Sequence, residues 1–191
     1  MSLALPGVPA DRAMRWAPHL EEAMRVAALT TPHQRAAFLA QVLHESGMLR
    51  YVREIWSPAQ VPAQARYEGR ADLGNINPGD GFKYRGRGPL QVTGRANYRL
   101  ATQRIRAMPG VTGVPDFGQR PELLEDPRWG SLAAAAWWIA NRAGQLATID
   151  EVSGLVNRGS PTKVAMHAAE RRALYQSLLG VVELASLSPV G

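Results

Sequence analysis

The sequence predicts a mainly α-helical single domain, and three observations carry that prediction. Apolar residues recur at helical spacing over five stretches of the chain. One proline- and glycine-rich stretch, residues 57–89, interrupts them, and at most a small β-hairpin fits there. With 191 residues, 46% hydrophobic and 20% charged, the chain can bury roughly 70% of its unfolded surface around one core, and disorder is excluded as its main state.

The elements follow in order. Residues 12–29 read as a helix despite Pro18, with Met14, Leu20, Met24 and Ala27 available for one buried face. Thr31 and Pro32 fit an N-cap and first helical position, so a second helix starts there and runs to about Ser46. Within it Phe38, Val42 and Glu45 fall at i, i+4 and i+7 with Leu39 and Leu43 beside them, which sets Glu45 on or next to the apolar stripe. Gly47 supplies a left-handed stop. Residues 57–89 hold four of the fourteen prolines and six of the eighteen glycines. Irregular segments longer than about 15 residues are usually functional or disordered, and Tyr67, Phe82 and Tyr84 favour function here. Helices return over residues 94–107, 129–142 (buried) and 161–179, followed by a flexible tail over about 180–191.

Composition narrows the partners. There is no cysteine, which removes disulfides and thiolate catalysis together. A net charge of +6 favours anionic partners: nucleic acid, a membrane surface or a bacterial cell wall. The longest strongly apolar run, residues 132–140, is far shorter than the roughly 20 residues of a membrane span, so no stable membrane insertion is expected. The first twelve residues reach Arg12 without an earlier basic residue and contain Pro6 and Pro9, so no signal peptide is expected.

Two glutamates nine positions apart, Glu45 and Glu54, are the main candidates for chemistry. A helix C-terminus and apolar neighbours both disfavour a charged carboxylate at Glu45, which suits a proton donor. Glu54 follows a turn beside Arg53, where a carboxylate stays ionised and can act as a base. Two carboxyls in unlike environments are what a glycosidase uses, although a glutamate ending a helix and another after a turn are more often solvated surface charges. A zinc site is not expected, because the H-E-x-x-H pattern has Met48 where its second histidine belongs; no metal or other cofactor is implied. In residues 78–99, five basic residues alternate with Phe82, Tyr84 and Tyr98. That pattern suits phosphates and stacked bases, or a sugar chain bonded by Gln91, Thr93 and Asn97, and taken alone it leaves both open.

The stretches "AQVLHESG", "YVREIW", "YEGRADLGN" and "PGDGFKYRGRGPLQVTGRANY", in this order, resemble glycoside hydrolase family 19, which includes chitinases and phage endolysins. The likeness runs over residues 36–99 and returns at "VNRG" and "ERRALY". It implies a lysozyme-like, two-lobed fold with a central substrate cleft and inverting hydrolysis of β-1,4-linked amino sugars. Glu45 matches the general acid, Glu54 the general base, and Thr93 the hydroxyl that holds the attacking water. Tyr84, Gln91 and Asn97 match substrate-contacting positions. Asn157 and Arg171 resemble a late pair in which the asparagine reaches sugar and the arginine steadies the acidic cluster. Glu68 in "YEGR" is a rival for the base, with a surface or scaffold role expected of it. An inverting enzyme keeps its carboxyls about 6.5–9.5 Å apart to admit a water, and Gly86 and Gly88 would keep the cleft floor low.

The chain departs from the family pattern in places: "NRG" stands for the commoner N-G-G, Met48 replaces a frequent glycine, and the link from Glu45 to Glu54 is short and lacks cysteine. The first two imply a different rim near Asn157 and Gly47, and the short, cysteine-free link favours the bacterial and phage branch. The expectation is a monomeric endolysin with one catalytic domain over residues 1–191 and no separate wall-binding module. It would accumulate in the host bacterial cytoplasm and reach the wall with a holin's help. Peptidoglycan is the first substrate and chitin the second, with no nucleic-acid partner. A non-enzymatic wall- or nucleic-acid-binding protein is the alternative class.

Overall fold

A computed structural model of the chain describes residues 3–187. Among the described residues eight α-helices follow in order: α1 (Ala10–Val26), α2 (Pro32–Glu45), α3 (Pro62–Ala65), α4 (Asp80–Lys83), α5 (Arg95–Arg106), α6 (Pro127–Ala140), α7 (Ile149–Arg158) and α8 (Ala168–Leu187). Two packings dominate. Helix α2 lies along α8 with α7 beside them, and α1 lies along α6, which also carries α5. The fold is mainly helical and lysozyme-like, as expected; among the described residues strand pairing is limited to isolated bridges of Arg87 with Arg53 and with Val92.

Local chemistry explains the two helices that matter most. Thr31 Oγ1 accepts from the Gln34 amide at 3.2 Å while Gln34 Oε1 accepts from the Thr31 amide at 3.2 Å, a reciprocal cap that fixes where α2 begins. Phe38, Leu39, Val42 and Leu43 are fully buried, each leucine or phenylalanine contributing about 1.5–3 kcal/mol. Phe38 meets Trp138 of α6 edge-on with ring centroids 5.2 Å apart. At the other end Ser46 Oγ donates to Val42 O at 2.7 Å and the Met48 amide donates to Leu43 O at 2.7 Å. Gly47, Met48 and Leu49 all have positive φ, so the chain leaves α2 through a left-handed turn that sends residues 50–54 toward the glycines at 86 and 88.

Several expectations need correction. Met14 is 70% exposed, because α1 turns Trp16, Leu20, Ala23 and Met24 inward and Met14 lies two residues off that stripe. Residues 161–167 are not helical; α8 starts at Ala168 and runs to Leu187, through most of the stretch expected as tail, and residues 188–191 of that stretch lie outside the described residues. Helix α7 was not expected at all. The long irregular stretch carries two one-turn helices, α3 and α4, and its order comes from buried polar ties. Asp80 pairs with Arg95, whose Nε donates to Oδ2 at 2.8 Å, and Asn75 accepts from the Arg95 amide at 2.9 Å.

Candidate active site

Glu45 is the last residue of α2 and is partly exposed. Its Oε1 accepts a hydrogen bond of 2.5 Å from Nη2 of Arg171, which stands in the first turn of α8 and is itself 1% exposed. Arg171 also pairs with Gln41 Oε1 and donates to Met166 O at 3.0 Å. Gln41 Nε2 donates to Ser153 Oγ at 2.9 Å, and Ser153 Oγ donates to Ile149 O at 2.6 Å. A buried polar chain from α7 through α2 to α8 therefore ends on the Glu45 carboxylate. The setting differs from the apolar one expected, since a guanidinium touches the acid. Asn157 joins the same end of the molecule: its Oδ1 accepts from the Met166 amide at 2.8 Å.

His44 does not bond Glu45. Its Nε2 lies 3.6 Å from Glu170 Oε2. Burial, and then the Arg171 charge, pushes the His44 imidazole down from its usual value.

Glu54 is held differently, by neutral donors. Oε2 accepts from the Gly86 amide at 2.9 Å. Oε1 accepts from Gln64 Nε2 at 2.9 Å and from the Tyr67 hydroxyl at 3.4 Å. The backbone repeats the tie, with the Glu54 amide donating to Gly86 O at 2.8 Å and the Gly88 amide to Val52 O at 2.9 Å. Burial, followed by the Glu54 charge, pushes the Tyr67 phenol up. Gly86 has an ordinary backbone conformation, yet a Cβ there would stand 2.3 Å from Gln91 Oε1 and 3.3 Å from Glu54 Oε2. The base candidate and Gln91 thus converge above a residue that has no side chain. Gln91 takes a positive φ to do this and donates from Nε2 to Gly88 O at 3.1 Å.

Thr93 Oγ1 donates to Gln91 O at 3.1 Å, and Asn97 Nδ2 donates to Thr93 O at 2.8 Å, so Gln91, Thr93 and Asn97 form one contiguous group. All three line a hollow of about 400 Å³ whose lining also includes Trp137 of α6, Asn141 just past its end and Arg104 of α5. Glu54 lines a neighbouring trench of about 540 Å³. Glu45 lines neither. Tyr84 requires a correction: it is fully buried and its hydroxyl donates to Gly118 O at 2.7 Å, so it supports the loop and presents nothing to a saccharide. Both Glu68 oxygens are occupied by backbone, accepting from the Gly79 amide at 2.6 Å and the Gly81 amide at 2.9 Å, in keeping with a scaffold role. Among the described residues no group of three His, Asp or Glu side chains could hold a metal, and no helix is long and apolar enough to cross a membrane.

Sequence reasoning passed over Gln41 and Gln64, the neutral partners of the two carboxylate clusters. Gln64 is 4% exposed inside a proline-rich stretch, and no local periodicity marks it.

No family model matches the sequence. The chain is 28% identical over 174 residues to a glycosyl hydrolase family 19 domain-containing protein of Haemophilus influenzae, a match that covers 76% of this chain and 78% of that protein. It is 32% identical over 143 residues to chitinase 5 of Oryza sativa subsp. japonica, covering 70% of this chain and 43% of the plant protein. The chain belongs to glycoside hydrolase family 19. It spans less than half the length of the rice enzyme, and 38% of an endochitinase of Pisum sativum to which it is 31% identical. Two solved structures share the fold of this family 19 chain. Chitinase C from Streptomyces griseus superposes with a TM-score of 0.63 at 20% identity, over 94% of this chain and 73% of that one. A bacterial family 19 chitinase superposes with a TM-score of 0.58 at 20% identity, over 98% and 93%.

Proposed function

We propose that this family 19 chain hydrolyses the β-1,4 glycan backbone of peptidoglycan by an inverting acid/base mechanism. The observation that carries the reading is the group built around Glu54: its carboxylate, held by the Gly86 amide, the Gln64 carboxamide and the Tyr67 hydroxyl, lies beside Gln91, which is contiguous with Thr93 and Asn97. In this mechanism Glu45 delivers its proton to the leaving glycosidic oxygen. Glu54 takes a proton from the attacking water, which Thr93 helps to hold. Gln91 and Asn97, with Asn157 from the other cluster, bond the sugar amides and hydroxyls. The net charge of +6 supports a polyanionic wall polymer over a neutral one.

Chitin is the second reading, favoured by the names of the relatives, which include a chitinase and an endochitinase. Parallel digestion of purified peptidoglycan and chitin, with products identified by mass and the anomer formed read by NMR, tests both. The proposal expects new reducing ends of inverted configuration from peptidoglycan. Release from chitin alone supports the second reading, and no new reducing ends from either polymer refutes both.

A further inference from the structure

The trench beside Glu54 holds more positive charge than it can neutralise. Arg50, Arg53 and Arg85 line it together with Glu54 and Glu125. Glu125 is already claimed from behind by the buried Arg87, whose Nε stands 2.7 Å from Oε1, and Arg53 Nη1 reaches its other oxygen only at 3.5 Å. Counting Arg87, four guanidiniums face two carboxylates, a surplus of two. Arg85 spends one nitrogen on Phe82 O at 2.9 Å and stacks over the Phe82 ring, while its Nε is buried and meets no acceptor among the described residues. Burial, and then the charges of Arg87 and Arg53, push Arg85 down from its usual value, and Glu125 offsets only part of this. Arg50 lies over the Tyr51 ring, and Tyr51 and Ile55, 46% and 71% exposed, add apolar surface at the rim.

Guanidiniums with unsatisfied donors are a fork for carboxylates. An uncharged glycan has no use for them, and a short carboxylate-bearing peptide next to apolar surface does. We infer that Arg50, Arg53 and Arg85 form a carboxylate-binding site that takes the acidic peptide branch of the glycan strand whose backbone Glu54 helps to cut. The inference rests on the peptidoglycan reading above and adds the part of the polymer that is recognised.

The test compares wild type with the double variant R50Q/R53Q on three substrates: intact peptidoglycan, the same peptidoglycan with its carboxyls converted to amides, and chitooligosaccharide. Both arginines are exposed and Glu125 keeps Arg87, so the variant retains its fold. Losing charge-assisted contacts should lower kcat/KM on intact peptidoglycan about tenfold relative to the amidated polymer, mainly through KM. Wild type should likewise prefer the intact polymer over the amidated one. Equal rates of wild type on the two forms, or an equal effect of R50Q/R53Q on all three substrates, overturns the site while leaving glycan hydrolysis in place. Absence of hydrolysis on every substrate overturns the functional reading, and the site with it.

Discussion

Arg171 Nη2 donates to Glu45 Oε1 at 2.5 Å, joining the first turn of α8 to the last residue of α2. The guanidinium serves Gln41 and Met166 O at the same time, from a position 1% exposed. Lysine carries the charge but cannot span three acceptors in one plane. Arg171→Lys should therefore destabilise the protein by about 2–3 kcal/mol and lower glycan turnover as well. Urea unfolding reads the first effect, and an unchanged midpoint would argue against the network.

Gly86 is required by proximity and not by its backbone angles. Gly86→Ala would place a methyl 2.3 Å from Gln91 Oε1. Gln91 can swing away, so the fold survives, but the group that Glu54 and Gln91 form is disturbed. A displacement of that size should lower kcat/KM roughly ten- to a hundredfold, with a melting temperature close to that of wild type. Full activity in the alanine variant would show that Gln91 is not part of the site.

The hairpin-like arm that carries Gly86 has a pH-sensitive anchor. The Tyr98 hydroxyl donates to Arg85 O at 2.6 Å and accepts from Arg87 Nη1 at 2.9 Å. Burial outweighs the neighbouring arginines and pushes this phenol up to about 12 from 10.0. The folded pKa lies above the unfolded one, so the stability this group contributes is complete below pH 10 and is lost as pH rises toward 12. The loss over that window should be roughly 3 kcal/mol. Tyr98→Phe should be less stable at neutral pH, yet show a flatter decline between pH 10 and 12. An identical alkaline slope in both proteins contradicts the assignment.

What the sequence reveals of this molecule follows the range of the interactions. Thr31, Pro32 and Gly47 bound α2 through contacts within four residues, so both ends of that helix can be read locally. Thr148 and Glu151 form the same kind of reciprocal cap on α7, a legible S/T-x-x-E signal that was passed over. Tyr84 looks like a ligand-facing aromatic in a basic, glycine-rich loop. Only its packing against Tyr98 and its bond to Gly118, 34 residues away, show it to be core. The closure of Gln91 onto Gly86 and Glu54 depends on pairing of residues 52–54 with 86–88, which no local period encodes. Glu45 and Glu54 were found chiefly by family resemblance, and the structure adds the partners that make their surroundings differ.

Glu45→Gln isolates the proton that Glu45 delivers. A glutamine keeps the shape of the side chain and an oxygen for Arg171, but has no proton to give the leaving oxygen. Release of reducing ends from peptidoglycan should fall at least about a hundredfold, while saccharide binding measured by calorimetry changes by no more than a few-fold. Near wild-type release by this variant would contradict that role of Glu45.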